Sequence, residues 1–225
     1  MIYKKTKHID CRYANLGAPE RVFAIPSIHG DLIKLNAIHE NIYQQFRAGD
    51  RLVYLGNYTG YGDYSRQTID ALLSFRRCLL SIPGVQVDDI VYVRGIQEEM
   101  WKKLMQLQFA PNPSQTLEWM MDKGMAQTME SYGLCLYEAN RVAHEGIIRL
   151  SRWTDKIRQT VYNNAGHDIF SASLKRAAFT DCAFTPGGYD DNDITATLDN
   201  NCGLGGDLVY AEIDATGRVL DVRAA

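Results

Sequence analysis

The stretch Asp50–Gly62, DRLVYLGNYTGYG, constrains the fold more than any other in the chain. Arg51–Leu55 contains no glycine or proline and is rich in strand formers, so it reads as a buried strand. Gly56–Gly62 then places three glycines in seven residues, which marks a loop that turns tightly or approaches another group closely. A buried strand running into a glycine-rich loop is the usual border of a functional crevice in an α/β fold. Between Arg51 and Asp63 this border carries no charged residue.

On either side the pattern repeats. Arg21–Ile25 reads as a strand stopped by Pro26, and SIHGD follows as a loop. Asp31 suits the start of a helix over 32–47, where Leu32, Leu35, Ile38, Ile42 and Phe46 recur at spacings of three and four. A second helix is expected over 64–80 and a third strand over Asp89–Arg94, which is nearly continuous in apolar character. Three strand–loop–helix units imply parallel pairing with right-handed crossovers. Residues 97–163 read as mostly helical: Gln97–Leu107, Gln115–Met121, Met125–Tyr132 and a long helix over 141–162. One or two further helical turns are expected over Ser171–Phe179. Strands are expected over Ile194–Leu198, Leu208–Ile213 and Val219–Val222. The organisation is an N-terminal extension over 1–20 and a single domain over 21–225 with a helical insert over 97–163.

The charge balance narrows the function classes. Lys and Arg number 24 against 27 Asp and Glu, a net charge of -3. That balance does not favour a nucleic-acid backbone as partner. No run approaches 18 apolar residues, so no membrane span is expected, and the polar N-terminus lacks a secretory apolar stretch. The cysteines (Cys11, Cys78, Cys135, Cys182 and Cys202) form no close pair or ligand spacing, which reads as reduced thiols in the cytoplasm.

Three loops leave the C-terminal ends of the three strands: PSIHGD, LGNYTGYG and RGIQEE. Farther on stand WMMDKGMAQTMESYG over 119–133 and TLDNNCGLGGDL over 197–208. In order and spacing these five segments resemble the calcineurin-like metallophosphoesterases, in particular the bacterial serine/threonine phosphatase and dinucleoside-tetraphosphatase branch. That family writes its loops GDIHG, LGDYVDRG and RGNHE. The resemblance covers about 21–133 and 194–222. It implies an αββα sandwich, two mixed sheets flanked by helices, truncated here in its C-terminal part. The interval between Phe179 and Ile194 has room only for a loop where the family carries two histidine motifs and strands.

Carried over residue by residue, the resemblance removes the family's metal site. The first aspartate ligand falls on Ser27, and the next histidine is kept as His29. The metal-bridging aspartate falls on Asn57. The aspartate and arginine of the DRG motif fall on Gly60 and Tyr61. The asparagine ligand falls on Ile96, the neighbouring proton-donating histidine on Gln97, and the glutamate on Glu98. His144 in VAHEGII and His167 in AGHDIF match the family's later histidine motifs only superficially. Two divalent ions about 3.5–4 Å apart need carboxylates to offset their charge. Ser27 and Asn57 are neutral, Ile96 has no donor atom, and Tyr61 cannot replace a bidentate cationic phosphate clamp. Gln97 supplies no proton at neutral pH.

The residues have plainer roles as well: His29 as a buried histidine held by a backbone carbonyl or by Asn57, Glu98 and Glu99 as first-turn helix carboxylates. A new single-metal site from His29, Asp31, Asp63 or Glu98 and a cysteine nucleophile at Cys182 or Cys202 are weaker readings. No catalytic residue, metal or cofactor is therefore expected. The expected function is that of a catalytically inactive relative acting as a binding, scaffold or regulatory subunit, with a protein partner or self-association through an uncovered sheet edge. One alternative is a metal-dependent phosphoesterase of residual or altered activity. Another is a phosphate or nucleotide sensor using the backbone N–H groups of the glycine loops.

Overall fold

The computed structural model describes residues 14–176, 198 and 201–225. Its centre is a five-stranded mixed sheet of order β3-β2-β1-β4-β5. The strands are β1 (Arg21–Ile25), β2 (Arg51–Tyr54), β3 (Ile90–Tyr92), β4 (Val209–Asp214) and β5 (Val219–Ala224). β1 pairs in parallel with β2, and β2 with β3, in the register Phe23 to Leu52 and Val53 to Val91. β4 joins β1 antiparallel, and β5 follows as an antiparallel hairpin with an irregularity between Glu212 and Ile213. The parallel strands are joined by α1 (Leu32–Tyr43) and α2 (Ser65–Leu80).

Alternation along each strand divides the sheet into two faces. Phe23, Ile25, Leu52, Tyr54, Ile90, Tyr92 and Tyr210 point to one face and build the main core with Leu35, Ile38 and Ile42 of α1 and Ile69, Leu72 and Leu79 of α2. Each fully buried aliphatic side chain there contributes roughly 1.5–3 kcal/mol. Val22, Ala24, Val53, Val91, Val209, Ala211 and Ile213 point to the other face, where Leu198 joins their cluster and Leu16 packs against it. Among the described residues there is one sheet, not the expected two. The expected strand Ile194–Leu198, apart from Leu198, and the loop inferred between Phe179 and Ile194 lie outside the described residues.

The region between β3 and the end of the helices holds α3 (Ile96–Leu104), α4 (Pro113–Met120), α5 (Ala126–Ser131), α6 (Leu136–His144), α7 (Ile147–Asn163) and α8 (His167–Ser173). It has its own apolar cluster, with Trp101, Leu117, Met120, Met125, Met129, Trp153 and Ile157. The methionines of Met120–Met129 thus divide: Met120, Met125 and Met129 are core, while Met121 packs at its margin. Three expectations are corrected. The helix over 141–162 is two helices, because Gly146 adopts φ 89° between α6 and α7 and reverses the chain. The helix over 32–47 ends at Tyr43, although Phe46 stays in the core. The last helix begins at His167, not Ser171, and residues 177–179 lie outside the described part.

Candidate functional site

The three loops do meet. They leave the C-terminal ends of β1, β2 and β3 and are laced to one another by backbone bonds. The Asn57 carbonyl accepts from the N–H groups of Ile28 at 3.0 Å and His29 at 2.8 Å, and the Tyr58 carbonyl accepts from Gly30 at 2.9 Å. Asn57 and His29 both take left-handed backbone conformations, with φ 54° and 52°. Tyr58 anchors the glycine-rich loop from below. It is fully buried, its hydroxyl donates to the Val93 carbonyl at 2.6 Å, and its ring meets Phe170 edge-on at 5.3 Å.

The side chains at the meeting point are mostly neutral and bonded to one another. Asn57 Nδ2 donates to Ser27 Oγ at 3.1 Å, and Asn57 Oδ1 accepts from the Gln97 backbone N–H at 3.1 Å. Gln97 Nε2 donates to the Lys123 carbonyl at 2.8 Å. Ser27, Asn57 and Gln97 are all buried. Ile96 is 62% exposed and turns to solvent.

His29 is held as the sequence suggests. Its Nδ1 lies 3.3 Å from the Thr59 carbonyl, which can only accept, so that nitrogen carries the proton. Tyr61 meets its ring edge-on, with centroids 5.2 Å apart. Gly203 closes the other side so tightly that a Cβ there would lie 2.5 Å from His29 Cβ. Gly60 is pressed between His29 and Gln97 in the same way. Tyr61 therefore fills space beside His29.

Glu98 is the carboxylate at this junction, and its oxygens are committed. Oε2 accepts from the N–H groups of Asn57 at 2.9 Å and Gly95 at 2.8 Å, and Oε1 from Tyr58 N–H at 2.8 Å. Burial pushes its pKa above the usual carboxylate range, and the three N–H donors oppose that rise. Glu98 is a first-turn carboxylate of α3, as expected, and also the clamp that fixes β2's loop to β3's.

The remaining candidates lie apart or are engaged. Asp31 caps α1 through Lys34 N at 3.1 Å and pairs with Lys34 Nζ at 3.0 Å. Cys202 is buried, with Sγ 3.3 Å from the Ile28 carbonyl. Cys11 and Cys182 lie outside the described residues. His144 ends α6 in solvent, its Nδ1 donating to the Asn140 carbonyl at 2.9 Å. His167 is buried and engaged, 2.9 Å from Asp70 and 2.7 Å from the Tyr132 hydroxyl. Among the described residues no three His, Cys, Asp or Glu side chains are grouped so as to hold a metal ion. The donor set at the loops, one imidazole and two neutral oxygens, does not fit a pair of hard cations. Among the described residues, no helix is long and apolar enough to cross a membrane.

Two contacts at this site escaped the sequence. The turn Met121–Met125 between α4 and α5 reaches the loops through Lys123 and Gly124, and Gly203 reaches them from the segment before β4. Both glycines belong to the quoted resembling segments. Neither contact has a periodic signal.

No protein-family model matches the chain, and no curated protein matches it. Among solved structures, it is similar to a candidate diadenosine tetraphosphatase at 14% identity and a TM-score of 0.45, covering 95% of this chain and 97% of that one. It is also similar to a cold-active protein tyrosine phosphatase at 11% identity and a TM-score of 0.42, over 95% of this chain and 82% of that one. A further structure of a cold-active protein-tyrosine phosphatase, from a psychrophile Shewanella species, aligns at 10% identity and a TM-score of 0.40, over 95% and 83%.

Proposed function

We propose that the protein is a non-catalytic relative of the calcineurin-like metallophosphoesterases that acts by binding, as a scaffold or regulatory subunit. The family reading is supported by five motif-like segments in order and by three loops gathered at the ends of three parallel strands. One observation carries the loss of catalysis. At the positions of the family's two aspartate ligands and its proton-donating histidine, Ser27, Asn57 and Gln97 form a buried neutral hydrogen-bond network. With no paired cations there is no low-pKa water to attack phosphorus. Removing like charges from a buried cluster also steadies the metal-free fold.

A phosphate held by loop backbone N–H groups finds less support. The N–H groups of Ile28, His29 and Gly30 bond to loop carbonyls, those of Asn57, Tyr58 and Gly95 to Glu98, and that of Gly60 to Ser65 Oγ. A binding role has a natural edge in β5. Among the described residues it pairs with β4 on one side and no strand on the other, and Leu220, Asp221, Val222 and Arg223 are exposed.

The test is twofold. The purified protein, supplied with manganese, is expected to show no turnover of p-nitrophenyl phosphate or of a dinucleoside polyphosphate above the buffer blank. The same protein, tagged and isolated from its native cells, is expected to bring down a stoichiometric partner or a second copy of itself. Hydrolysis that scales with protein and requires the cation would overturn the reading.

A further inference from the structure

The sheet has two edges, and they are finished differently. β3 is closed at its end by the segment after α8: Lys175 N–H donates to the Tyr92 carbonyl at 2.8 Å, and the Lys175 carbonyl accepts from Arg94 N–H at 2.8 Å. β5, at the other edge, is exposed from Leu220 to Ala225. An open strand edge is a template for another chain, and native edges are often blunted by proline or lysine. Val219–Ala224 contains neither. The irregularity beside Glu212 lies at the hairpin end and leaves Asp221–Ala224 in regular register with β4.

The hairpin fixes which backbone groups of β5 are free to pair. Ala225 N–H donates to the Leu208 carbonyl at 2.9 Å. Opposed antiparallel residues alternate between bonded and non-bonded pairs. Arg223 and Asp221 therefore turn their backbone groups to β4, while Val222 and Ala224 turn theirs outward. The Val222 N–H agrees with this, since it bonds to Asp221 Oδ1 at 2.9 Å and not to β4.

The side chains then select one way for two copies to meet. A second copy joining antiparallel across a two-fold axis must bring outward residues opposite outward residues. With the axis at Asp221, two carboxylates face each other. With the axis at Arg223, two guanidinium groups do. With the axis at Val222, each Asp221 lies opposite Arg223 of the other copy, in the non-bonded pair where opposed side chains come closest. In that register Val222 exchanges both backbone bonds with its counterpart, and Leu220 lies opposite Ala224. Leu220 and Val222, 53% and 40% exposed in the single chain, gain apolar neighbours. Within one chain Arg223 Nε already lies 2.7 Å from Asp221 Oδ2, so pairing replaces that exposed contact with cross-strand ones.

We infer that the protein pairs with a second copy of itself through β5, with Val222 on the two-fold axis and Asp221 opposite Arg223 on either side of it. The two sheets become one continuous sheet. The inference rests on the binding role proposed above and names its partner. Two short strands bury less than the roughly 800 Å² per partner of a standard stable interface, so the dimer is weak, half-formed at roughly 10–100 µM.

Sedimentation velocity on the full chain at about 5–500 µM tests it, under reducing conditions because Cys78 and Cys135 are exposed. A reversible monomer–dimer equilibrium is expected. Asp221→Arg puts only arginines at the junction, and Arg223→Asp only aspartates. Either variant alone should dimerise at least about tenfold more weakly, the effect of turning two cross-strand pairs from attraction to repulsion. Mixed in equal amounts, the two variants oppose Arg to Asp at each position and should pair as tightly as wild type or tighter. Circular dichroism melting of each variant confirms that it folds. A wild-type protein that stays monomeric up to about 500 µM overturns the inference. So does a dimer that neither substitution weakens, or a pair of variants that fail to associate when mixed. A monomeric wild type that still brings down another protein from its cells removes the self-pairing and leaves the binding role standing, whereas cation-dependent hydrolysis removes the non-catalytic reading and leaves the dimer standing.

Discussion

The N-terminal ends of the parallel strands bury charge and pair it, whereas at their C-terminal ends the facing loops are joined mainly by neutral groups. At the first end, Arg21 reaches Asp50 Oδ2 at 2.8 Å and Glu212 Oε1 at 2.9 Å, and Arg51 reaches Asp89 at 2.9 Å. Asp50 is fully buried. The Arg21 guanidinium also lies over the Phe23 ring, 5.0 Å from its centroid. At the second end, Ser27 and Asn57 meet through a neutral hydrogen bond, and the ion pairs of these loops, Arg94 with Glu99 and Asp31 with Lys34, are made by other residues. Glu98 remains there because three backbone N–H groups stand in for a cation. The fold tolerates a buried carboxylate only where donors are built in.

Breaking the charged end should have the largest effect. Arg21→Leu strands Asp50 and Glu212, and unfolding in urea should show a loss of about 3–5 kcal/mol. An unchanged midpoint would mean that these carboxylates are not buried as described. Adding charge to the neutral end comes next. The double variant Ser27→Asp with Asn57→Asp places two like charges in a buried network and should cost about 2–4 kcal/mol in metal-free buffer. Stability equal to wild type would show that the loops still accommodate anions.

The core behind the sheet sharpens the contrast with a buried group kept neutral. His39 stacks on Phe75 at 3.8 Å, lies 2.8 Å from the Tyr54 hydroxyl, and is held by burial at a pKa of about 3. The unfolded chain protonates this residue near pH 6.5, while the folded chain does not. The stability it contributes is therefore present above pH 6.5 and is lost as the pH falls toward 3, by about 2 kcal/mol at pH 5. His39→Phe should flatten that part of the pH profile.

Glu98 gives the smallest effect, of opposite sign. Its folded pKa is raised, so the native state binds the proton more readily than the unfolded chain. Its contribution is greatest at low pH and declines as the pH rises from the ordinary carboxylate range through the raised value. Glu98→Gln loses an acceptor, so it starts less stable. Its deficit relative to wild type should shrink as the pH rises through that window, and a deficit that grows would contradict the assignment.

Much of this was legible in the chain itself. The strands at 21–25 and 51–54 stand where alternation and glycine or proline stops place them, because both signals are local. The neutral character of the loop end was legible too, since Ser27, Asn57 and Gln97 are visible as residue types. Their mutual bonding was not. It depends on a register between segments 30 and 40 residues apart. The break at Gly146 was hidden because one glycine in an amphipathic pattern does not announce a positive φ. The Asp70–His167–Tyr132 chain was hidden for the same reason as the loop bonds: its members are distant in sequence and meet only through packing. Tyr61 read as the loss of an arginine, but only the structure shows it packed against His29.

Metal content after purification, with manganese and zinc supplied and then removed by gel filtration, tests the central claim most directly. Elemental analysis should find fewer than about 0.1 ions per chain, since among the described residues no His, Cys, Asp or Glu side chains are grouped to hold paired cations. About two tightly held ions per chain, displaced by Ser27→Lys or Asn57→Lys, would contradict it.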